Sequence, residues 1–294
     1  MSASQPPHTT LISVAQLQAL HTSGAPLMVF DCSFDLMQPA AGRALLHESH
    51  NADAVFADLN ADLSTHSPQL SGRAVTGGRH PLPAREDFAR WLGQIGFHNG
   101  MQAVVYDRHG MNYCGRLWWM LKWLGHDAAA VLNGGLQAWL AAGGAVESGA
   151  AAPRPATQFA VHTALLDFVD AATVQGQLGR ASQTVLDARA PARFRGEVEP
   201  FDPVAGHIPG ALNRPFNQNI GEDGLFKPAE VLRAELDALL GDRSAATVVH
   251  HCGSGVSAVP NILAMQVAGL GASTLFAGSW SEWCSDPARP VARG

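Results

Sequence analysis

Short apolar runs alternate with longer helical patterns along most of the chain. In the first half, residues 26–31, 103–106 and 129–132 are short and rich in aliphatic side chains, which predicts buried strands. Helices are predicted between and after these strands, at residues 13–20, 85–92, 112–124 and 136–142. Strands and helices that alternate at this spacing indicate an α/β domain with a mostly parallel sheet.

Four motifs of the first half recur in the same order in the second half. The pairs are Val29-Phe-Asp-Cys with Val185-Leu-Asp-Ala, His50-Asn-Ala-Asp-Ala with His207-Ile-Pro-Gly-Ala, Tyr106-Asp-Arg-His-Gly with His251-Cys-Gly-Ser-Gly, and Leu132-Asn-Gly-Gly-Leu-Gln-Ala-Trp139 with Phe276-Ala-Gly-Ser-Trp-Ser-Glu-Trp283. Repetition in a fixed order predicts an internal duplication, so the chain is expected to contain the same fold twice.

Two stretches lack the periodicity of either a strand or a helix. Residues 59–82 are polar and rich in glycine, histidine and arginine, and are predicted to form a long loop. Residues 146–158 contain several alanines and prolines and are predicted to be a linker between the copies. We therefore expect a first domain over residues 1–145 and a second domain over residues 159–294.

Cys252 follows a predicted strand at residues 247–249 and precedes a predicted helix that ends near residue 268. Gly253 and Gly255 lack the Cβ atoms that would keep the backbone from curling around one point. Successive amide N–H groups and the helix N-terminus would then favour a thiolate over a thiol. The alternative is a buried structural cysteine before an ordinary glycine turn. The first copy carries Asp107 at the matching position, so only the second copy has this thiol.

Composition narrows the class of protein further. The chain of 294 residues is 47% apolar and 15% charged, which is typical of a soluble globular protein with room for two cores. A net charge of −6 argues against nucleic-acid and anionic-membrane partners. No run reaches the roughly 18 apolar residues of a membrane-spanning helix, and residues 1–8 show no secretory signal. Four widely spaced cysteines favour a reducing compartment, so we expect a cytoplasmic protein.

Spacing around the thiol separates several cysteine chemistries. A cysteine-dependent phosphatase needs an arginine, to clamp phosphate, at the position that Ala258 occupies. A papain-type protease needs a Cys-Gly-Ser-Cys-Trp run and a later histidine, and no histidine follows His251. A metal site is disfavoured because its candidate ligands, His250, His251 and Cys252, are adjacent along a strand, where successive side chains point to opposite faces. Transfer of sulfur through a persulfide on Cys252 remains, and it needs neither a metal nor an organic cofactor.

The chain resembles the tandem-domain rhodanese and 3-mercaptopyruvate sulfurtransferase family over residues 10–290. The motifs that carry the resemblance are Cys252-Gly-Ser-Gly-Val-Ser, Asp187-Ala-Arg, Arg193-Phe-Arg-Gly, Gly206-His-Ile-Pro-Gly-Ala211, Gly278-Ser-Trp-Ser-Glu-Trp283, Arg116-Leu-Trp-Trp and Leu132-Asn-Gly-Gly-Leu-Gln-Ala-Trp139. The resemblance implies two rhodanese-like domains in tandem, each a mostly parallel sheet flanked by helices. It also implies a first domain without the catalytic cysteine.

The resemblance assigns roles to particular residues. Arg193 matches the arginine that binds the carboxylate or sulfonate of the donor, Ser254 matches a serine proposed to relay a proton, and His80 matches a histidine near the site. The loop amides, which are expected to hold the outer sulfur, belong to Gly253, Gly255, Val256 and Ser257. The charge of the loop indicates the preferred donor. Family members that prefer the dianion thiosulfate carry basic residues after the cysteine, where this chain has the neutral Gly253 and Ser254. A monoanionic mercapto acid is therefore the better electrostatic match.

Several positions depart from the family pattern or have a structural interpretation. The second substrate arginine of the family falls at Phe201, and an acidic residue that orients the histidine falls at Asn60. Arg189 is expected to brace Asp187. His207 is expected to be a hydrogen-bonded turn residue, and Trp118, Trp119, Trp139 and Trp283 are expected to pack in cores or interfaces. Cys32, Cys114 and Cys284 are expected to pack, with exposure near the C-terminus as the alternative for Cys284.

These observations predict an enzyme that moves sulfur from 3-mercaptopyruvate to an acceptor and leaves pyruvate. The expected acceptors are a thiol, such as thioredoxin or a low-molecular-weight thiol, or cyanide. One alternative is the same chemistry with thiosulfate as the donor. A second alternative is a non-catalytic binding module, which the retention of Cys252 with its glycine loop disfavours. No cofactor, metal, nucleic-acid partner or membrane partner is expected.

Overall fold

The computed structural model describes residues 6–65 and 74–294, which group into two compact units. The first unit combines Met1–Leu59 with Arg85–Leu165, and the second combines Asn60–Ala84 with Leu166–Gly294. Residues 60–84, which we expected in the first domain, therefore belong to the second unit. The expected linker groups with the first unit. Residues 66–73 of the predicted long loop lie outside the described residues.

The first unit contains strands and helices in alternation. Its strands are β1 (Leu11–Ile12), β2 (Leu27–Asp31), β3 (His50–Asn51), β4 (Val55–Phe56), β5 (Gln102–Tyr106), β6 (Ala129–Leu132) and β7 (Val146–Glu147). Its helices are α1 (Val14–Ser23), α2 (Ala41–Glu48), α3 (Arg85–Gln94), α4 (Cys114–Trp123) and α5 (Gly135–Ala141). The first helix begins with a capping box between Ser13 and Gln16 and ends at Gly24 in the left-handed region, which is why its boundaries are sharp.

The main sheet of the first unit has the strand order β1-β6-β5-β2-β4, and every neighbouring pair is parallel. The short strands β3 and β7 form a separate antiparallel pair. Apolar side chains from one face of this sheet and from α1 and α5 make a core that includes Leu17, Val104, Leu132 and Trp139. The register places Asp31 directly opposite Tyr106 at the carboxyl ends of β2 and β5.

The second unit repeats the alternation. Its strands are β8 (Phe168–Val169), β9 (Thr184–Asp187), β10 (Leu212–Asn213), β11 (Val248–His251) and β12 (Thr274–Phe276). Its helices are α6 (Ala171–Gly176), α7 (Pro191–Phe194), α8 (Ala229–Leu240), α9 (Val259–Val267) and α10 (Ser279–Trp283). The three strands and four helices predicted in the first half are all present within a few residues of their predicted ends. The same holds for the strand and the helix that flank Cys252.

The sheet of the second unit has the order β10-β9-β11-β12-β8, again with parallel neighbours throughout. The two sheets match strand for strand, with β8, β12, β11, β9 and β10 in the places of β1, β6, β5, β2 and β4. Each unit is therefore the same parallel fold flanked by helices, which confirms the predicted fold class. The register places Asp187 opposite His251 at the carboxyl ends of β9 and β11. In parallel α/β sheets this end is where functional residues gather.

The helices α4 and α9 occupy matching places, since each follows the central strand of its sheet. All ten residues of α4 are buried, and so are the first seven of α9. A helix that is buried on all sides is expected to be largely apolar, which explains the mainly hydrophobic sequences of both; the exceptions among their buried residues are Arg116, Lys122 and Asn261. No helix in the described part of the chain is both long enough and apolar enough to cross a bilayer.

Candidate active site

Cys252 is the first residue after the central strand β11, and its side chain is 3% exposed. Its backbone N–H donates to the Ser279 hydroxyl at 3.1 Å, and its carbonyl oxygen accepts from the Trp280 N–H at 3.0 Å. Ser279 is a buried non-glycine residue with φ of +54°, a conformation that costs energy unless neighbours enforce it. The start of α10 thus fixes the backbone that carries the thiol.

The loop after Cys252 curls as the glycine pattern predicted. Gly255 has φ of +77°, and a Cβ atom there would collide with the Ala277 carbonyl, so only glycine fits. The N–H groups of Ser254, Val256 and Ser257 donate to no acceptor within residues 6–65 and 74–294. Backbone donors at the entrance to a helix attract anions. The loop therefore has the donors that a charged sulfur species needs.

A buried charged network lies at the strand ends beneath the loop. The Arg189 guanidinium donates to both oxygens of Asp187, at 2.7 Å in its shortest contact, which confirms that Arg189 braces Asp187. His251 lies 3.5 Å from the same carboxylate. Burial alone would raise the pKa of Asp187, but His251, when protonated, and Arg189 hold it below its usual range. Burial lowers the pKa of His251, and Asp187 offsets this only in part.

Ser254 and His80 form a hydrogen-bonded pair inside the second unit. The His80 Nδ1 atom lies 2.7 Å from the Ser254 hydroxyl oxygen, and both side chains are buried. The His80 segment is fastened to α10, because the Arg79 N–H donates to the Ser281 hydroxyl at 3.0 Å. Gly78 has φ of +87° and lies against the carbonyl of Gly278, where a Cβ atom would not fit. A histidine far away in sequence is thus held against the cysteine loop.

Two arginines reach the residue that follows the thiol. A Cβ atom built on Gly253 would lie 3.2 Å from Arg79 Nη2 and 3.4 Å from Arg193 Nη1. Arg193 is paired with Glu199 at 2.7 Å and with Asp202 at 3.3 Å. The family match indicated Arg193, but sequence reasoning missed Arg79. The available signal was its position next to His80, and no local pattern distinguished it from a surface arginine.

Other sequence expectations have clear outcomes. The His207 Nδ1–H donates to the Phe194 carbonyl oxygen at 2.8 Å, as expected of a hydrogen-bonded turn residue. The four tryptophans are buried, as predicted. Cys284 packs in the core of the second unit, as expected, and the alternative of an exposed thiol is wrong; burial raises the pKa of this thiol. Within the described ranges, no three His, Cys, Asp or Glu side chains are grouped as metal ligands.

The structure brings most of the predicted site residues together in the second unit. Cys252, Ser254 and the loop amides lie in one turn, and Arg193 and His80 reach that turn from other segments. Phe201, where a second arginine was sought, places its ring 5.0 Å from the Arg193 guanidinium and 5.5 Å from that of Arg79. The neutral loop is therefore not a neutral environment, since two cations lie next to Gly253.

Comparisons with known proteins agree with this geometry. The rhodanese-like domain family matches residues 48–142 and again residues 170–286. A relative from Pseudomonas aeruginosa, named probable 3-mercaptopyruvate sulfurtransferase, is 47% identical over 281 residues, which cover 95% of this chain and 97% of the relative. Thiosulfate sulfurtransferase of Cricetulus griseus is 34% identical over 268 residues, which cover 88% of this chain and 86% of that protein.

Among solved structures, 3-mercaptopyruvate sulfurtransferase from Leishmania major superposes with a TM-score of 0.80 at 31% identity. The match covers 96% of this chain and 76% of that one. The family model matches each half separately, and relatives more than 30% identical extend over nearly the whole chain. The chain therefore belongs to the rhodanese-like family, with relatives that are named as sulfurtransferases.

Proposed function

We propose that this chain transfers sulfur from 3-mercaptopyruvate to a thiol or to cyanide through a persulfide on Cys252. The observation that carries the proposal is the turn after Cys252, in which three backbone N–H groups have no acceptor in the described part of the chain. A persulfide anion is a ligand of the right charge for these donors. The buried carboxylates nearby are all paired with arginines, so they do not compete for the amides.

In the first half-reaction the Cys252 thiolate attacks the sulfur of the donor. A sulfur–sulfur bond forms, the carbon–sulfur bond breaks, and the electron pair of that bond passes to carbon as the enolate of pyruvate. The carbon then takes a proton to give pyruvate, and the outer sulfur remains on Cys252. The amides of the turn from Gly253 to Ser257 hold that sulfur, chiefly the N–H groups of Ser254, Val256 and Ser257, and Arg193 binds the donor's carboxylate.

The proton for the enolate comes from the pair formed by Ser254 and His80. The contact of 2.7 Å between them is short enough for a proton to pass along it. The outer sulfur of the new persulfide releases a proton when it becomes an anion, so the proton can circulate without an external acid. In the second half-reaction an acceptor thiolate or cyanide attacks the outer sulfur and restores the Cys252 thiolate.

The proton relay also bears on the donor. Breaking the carbon–sulfur bond of 3-mercaptopyruvate leaves a carbanion equivalent that needs a proton, whereas thiosulfate leaves sulfite, which needs none. A buried Ser254–His80 pair therefore has a task with the mercapto acid and none with thiosulfate. Values of kcat/KM for the two donors test the choice, and a higher value for thiosulfate would favour the alternative activity.

All four cysteines are free thiols in the structure. This fits a reducing compartment such as the cytoplasm, where thioredoxin or a low-molecular-weight thiol can serve as the acceptor. We propose such thiols as the acceptors, with cyanide as an alternative nucleophile.

The experiment that tests the proposal is a comparison of the wild-type protein with Cys252→Ser and Cys284→Ser. After incubation with the donor, intact mass should show one added sulfur atom on the wild type and on Cys284→Ser, and none on Cys252→Ser. Turnover should follow the same pattern. Sulfur that still adds to Cys252→Ser would overturn the assignment. A wild type that takes up no sulfur from either donor would support the non-catalytic binding module.

A further inference from the structure

The positive charge next to the cysteine loop comes from two arginines that lie far apart in the sequence. Arg193 lies in the second half, in α7, while Arg79 lies in the segment of the first half that packs into the second unit. Their terminal nitrogens lie 3.2–3.5 Å from the position that a Cβ atom would take on Gly253. Gly253 is the residue directly after the thiol, so both guanidinium groups are at the point where a donor must approach.

Phe201 and Asp202 hold the two arginines side by side. The Phe201 ring lies 5.5 Å from the Arg79 guanidinium and 5.0 Å from that of Arg193, within the range of a cation–π contact. Asp202 accepts from Arg79 Nη1 at 2.9 Å and from Arg193 Nη2 at 3.3 Å. The position at which the family pattern places an arginine therefore carries an aromatic ring that positions an arginine from elsewhere.

The carboxylates of this cluster are buried more deeply than the guanidinium groups. The side chains of Asp202 and Glu199 are 4% and 3% exposed, whereas those of Arg79 and Arg193 are 25% and 16% exposed. The carboxylates thus lie behind the guanidinium groups and fix their orientation. Arg193 Nη1 donates to no acceptor in the described part of the chain. An anion that arrives from solvent meets N–H donors first and carboxylates last.

We propose that Arg79 is a specificity-determining residue that supplies the second guanidinium of the donor site, in place of the arginine missing at Phe201. It binds the carboxylate of the incoming donor together with Arg193 and so orients the donor's sulfur toward Cys252. This inference rests on the proposed function, because it assumes an anionic sulfur donor. It makes no covalent contribution of its own.

A charge-selective alkylation tests the inference without any sulfur donor. Iodoacetate and iodoacetamide both alkylate the Cys252 thiolate with loss of iodide, but only iodoacetate carries a carboxylate. The ratio of their two rates at Cys252, followed by peptide mass spectrometry, reports recognition of the carboxylate. The fraction of thiolate cancels in this ratio because the same thiolate attacks both reagents.

Arg79→Ala should lower the ratio of iodoacetate to iodoacetamide rates about tenfold, since a charge-assisted contact is lost. Arg79→Lys should keep part of the preference because it keeps the charge. Arg195→Ala is the matched control: Arg195 is exposed, pairs with Glu197, and should leave the ratio unchanged. An unchanged ratio in Arg79→Ala would overturn the proposal, even if the rate with neutral iodoacetamide changed through a disturbed fold.

The same variants are then compared in steady-state kinetics. Arg79→Ala should raise KM for 3-mercaptopyruvate about 10- to 100-fold and change kcat much less, because the lost contact is made before the chemical step. A normal KM in this variant would count against the proposal. A wild type that turns over neither donor would refute the proposed function alone, since the alkylation ratio would still decide the role of Arg79.

Discussion

The loop that follows Asp107 and the loop that follows Cys252 leave the central strands of the two sheets, yet their backbone amides meet different partners. In the first copy, the Asp107 carboxylate accepts from the N–H groups of His109, Met111, Tyr113 and Cys114 at 2.7–3.0 Å. In the second copy, the N–H groups of Ser254, Val256 and Ser257 have no acceptor in the described ranges. The same anion-binding turn is thus filled permanently in one copy and open to a reactant in the other.

The strand ends below the two loops differ in the same way. In the first copy, the Tyr106 hydroxyl donates to Asp31 at 2.9 Å, which is a hydrogen bond from a neutral group. In the second copy, His251 and Arg189 face Asp187. An arginine faces the carboxylate in both copies, since Arg108 lies 3.5 Å from Asp31, so the difference is a tyrosine hydroxyl in the first copy and a histidine ring in the second. The comparison predicts that equivalent substitutions in the two copies will have opposite consequences for folding and for activity.

The largest effect is expected from removing the side chain at the first residue of each loop. Asp107→Ala leaves four backbone donors without their acceptor and should lower the free energy of unfolding by about 3–5 kcal/mol. Cys252→Ala should cost about 1 kcal/mol, because it removes only one small buried group, and should abolish turnover. Urea unfolding and a turnover assay on both variants measure this. Equal losses of stability in the two variants would contradict the proposed difference between the two loops.

The next largest effect concerns the proposed proton relay of the second copy. Ser254→Ala should lower kcat with 3-mercaptopyruvate about 100-fold, because the enolate loses its proton source, and should lower kcat with thiosulfate less than about fivefold. Steady-state assays with both donors measure the difference, and Ser285→Ala, in the exposed segment just after α10, is the control. Equal losses with the two donors would show that Ser254 shapes the loop and moves no proton.

A smaller effect is expected at the first residues of α5 and α10, which contact the two loops. The first copy has Gly135 at φ of +57°, and the second has Ser279 at +54°, with its hydroxyl accepting from Cys252. Ser279→Ala should lower the free energy of unfolding by about 2 kcal/mol, since the strain stays and a buried N–H loses its acceptor. Ser279→Gly should cost less because it relieves the strain. Denaturant unfolding ranks the two, and a costlier Ser279→Gly would contradict this account.

The smallest effect is a difference in pH dependence between the two strand-end pairs. Burial lowers the pKa of His251, so below about pH 6.5 the unfolded chain takes up a proton that the folded chain resists, and stability falls as the pH falls. Burial and Asp31 raise the pKa of Tyr106, so above about pH 10 stability falls as the pH rises. The slope per group is at most about 1.4 kcal/mol per pH unit.

Urea unfolding between pH 5 and 11 tests this in two variants. His251→Gln should flatten the acid side, with a remainder from His250, in which burial lowers the pKa to about 3. Tyr106→Phe should flatten only the alkaline side. A Tyr106→Phe protein with the wild-type alkaline slope would show that the two pairs do not differ in this respect.

Much of this architecture was predictable because it is local or repeated. The strand before Cys252 and the helix after it follow from aliphatic runs, and Gly255 follows from a turn that no side chain can adopt. The ordered motifs predicted two copies of one fold. Helix α2 was missed because its eight residues are too few for a helical period to stand out in the sequence.

The rest of the site was not predictable because it depends on contacts between residues far apart in sequence. Nothing local says that residues 60–84 join the second unit, so His80 was identified only through the family match and Arg79 not at all. The expected donor site combined the neutral Gly253 and Ser254 with Arg193 from the family match. It did not include Arg79, since the place of Arg79 beside Gly253 is set by Phe201 and Asp202.

The membership of residues 60–84 in the second unit means that the two copies are not interchangeable modules. A fragment cut at the repeat boundary would keep Cys252 but would leave behind the His80 imidazole, which lies against Ser254, and the Arg79 guanidinium, which lies beside Gly253. The span of the first copy therefore encodes part of the candidate site of the second.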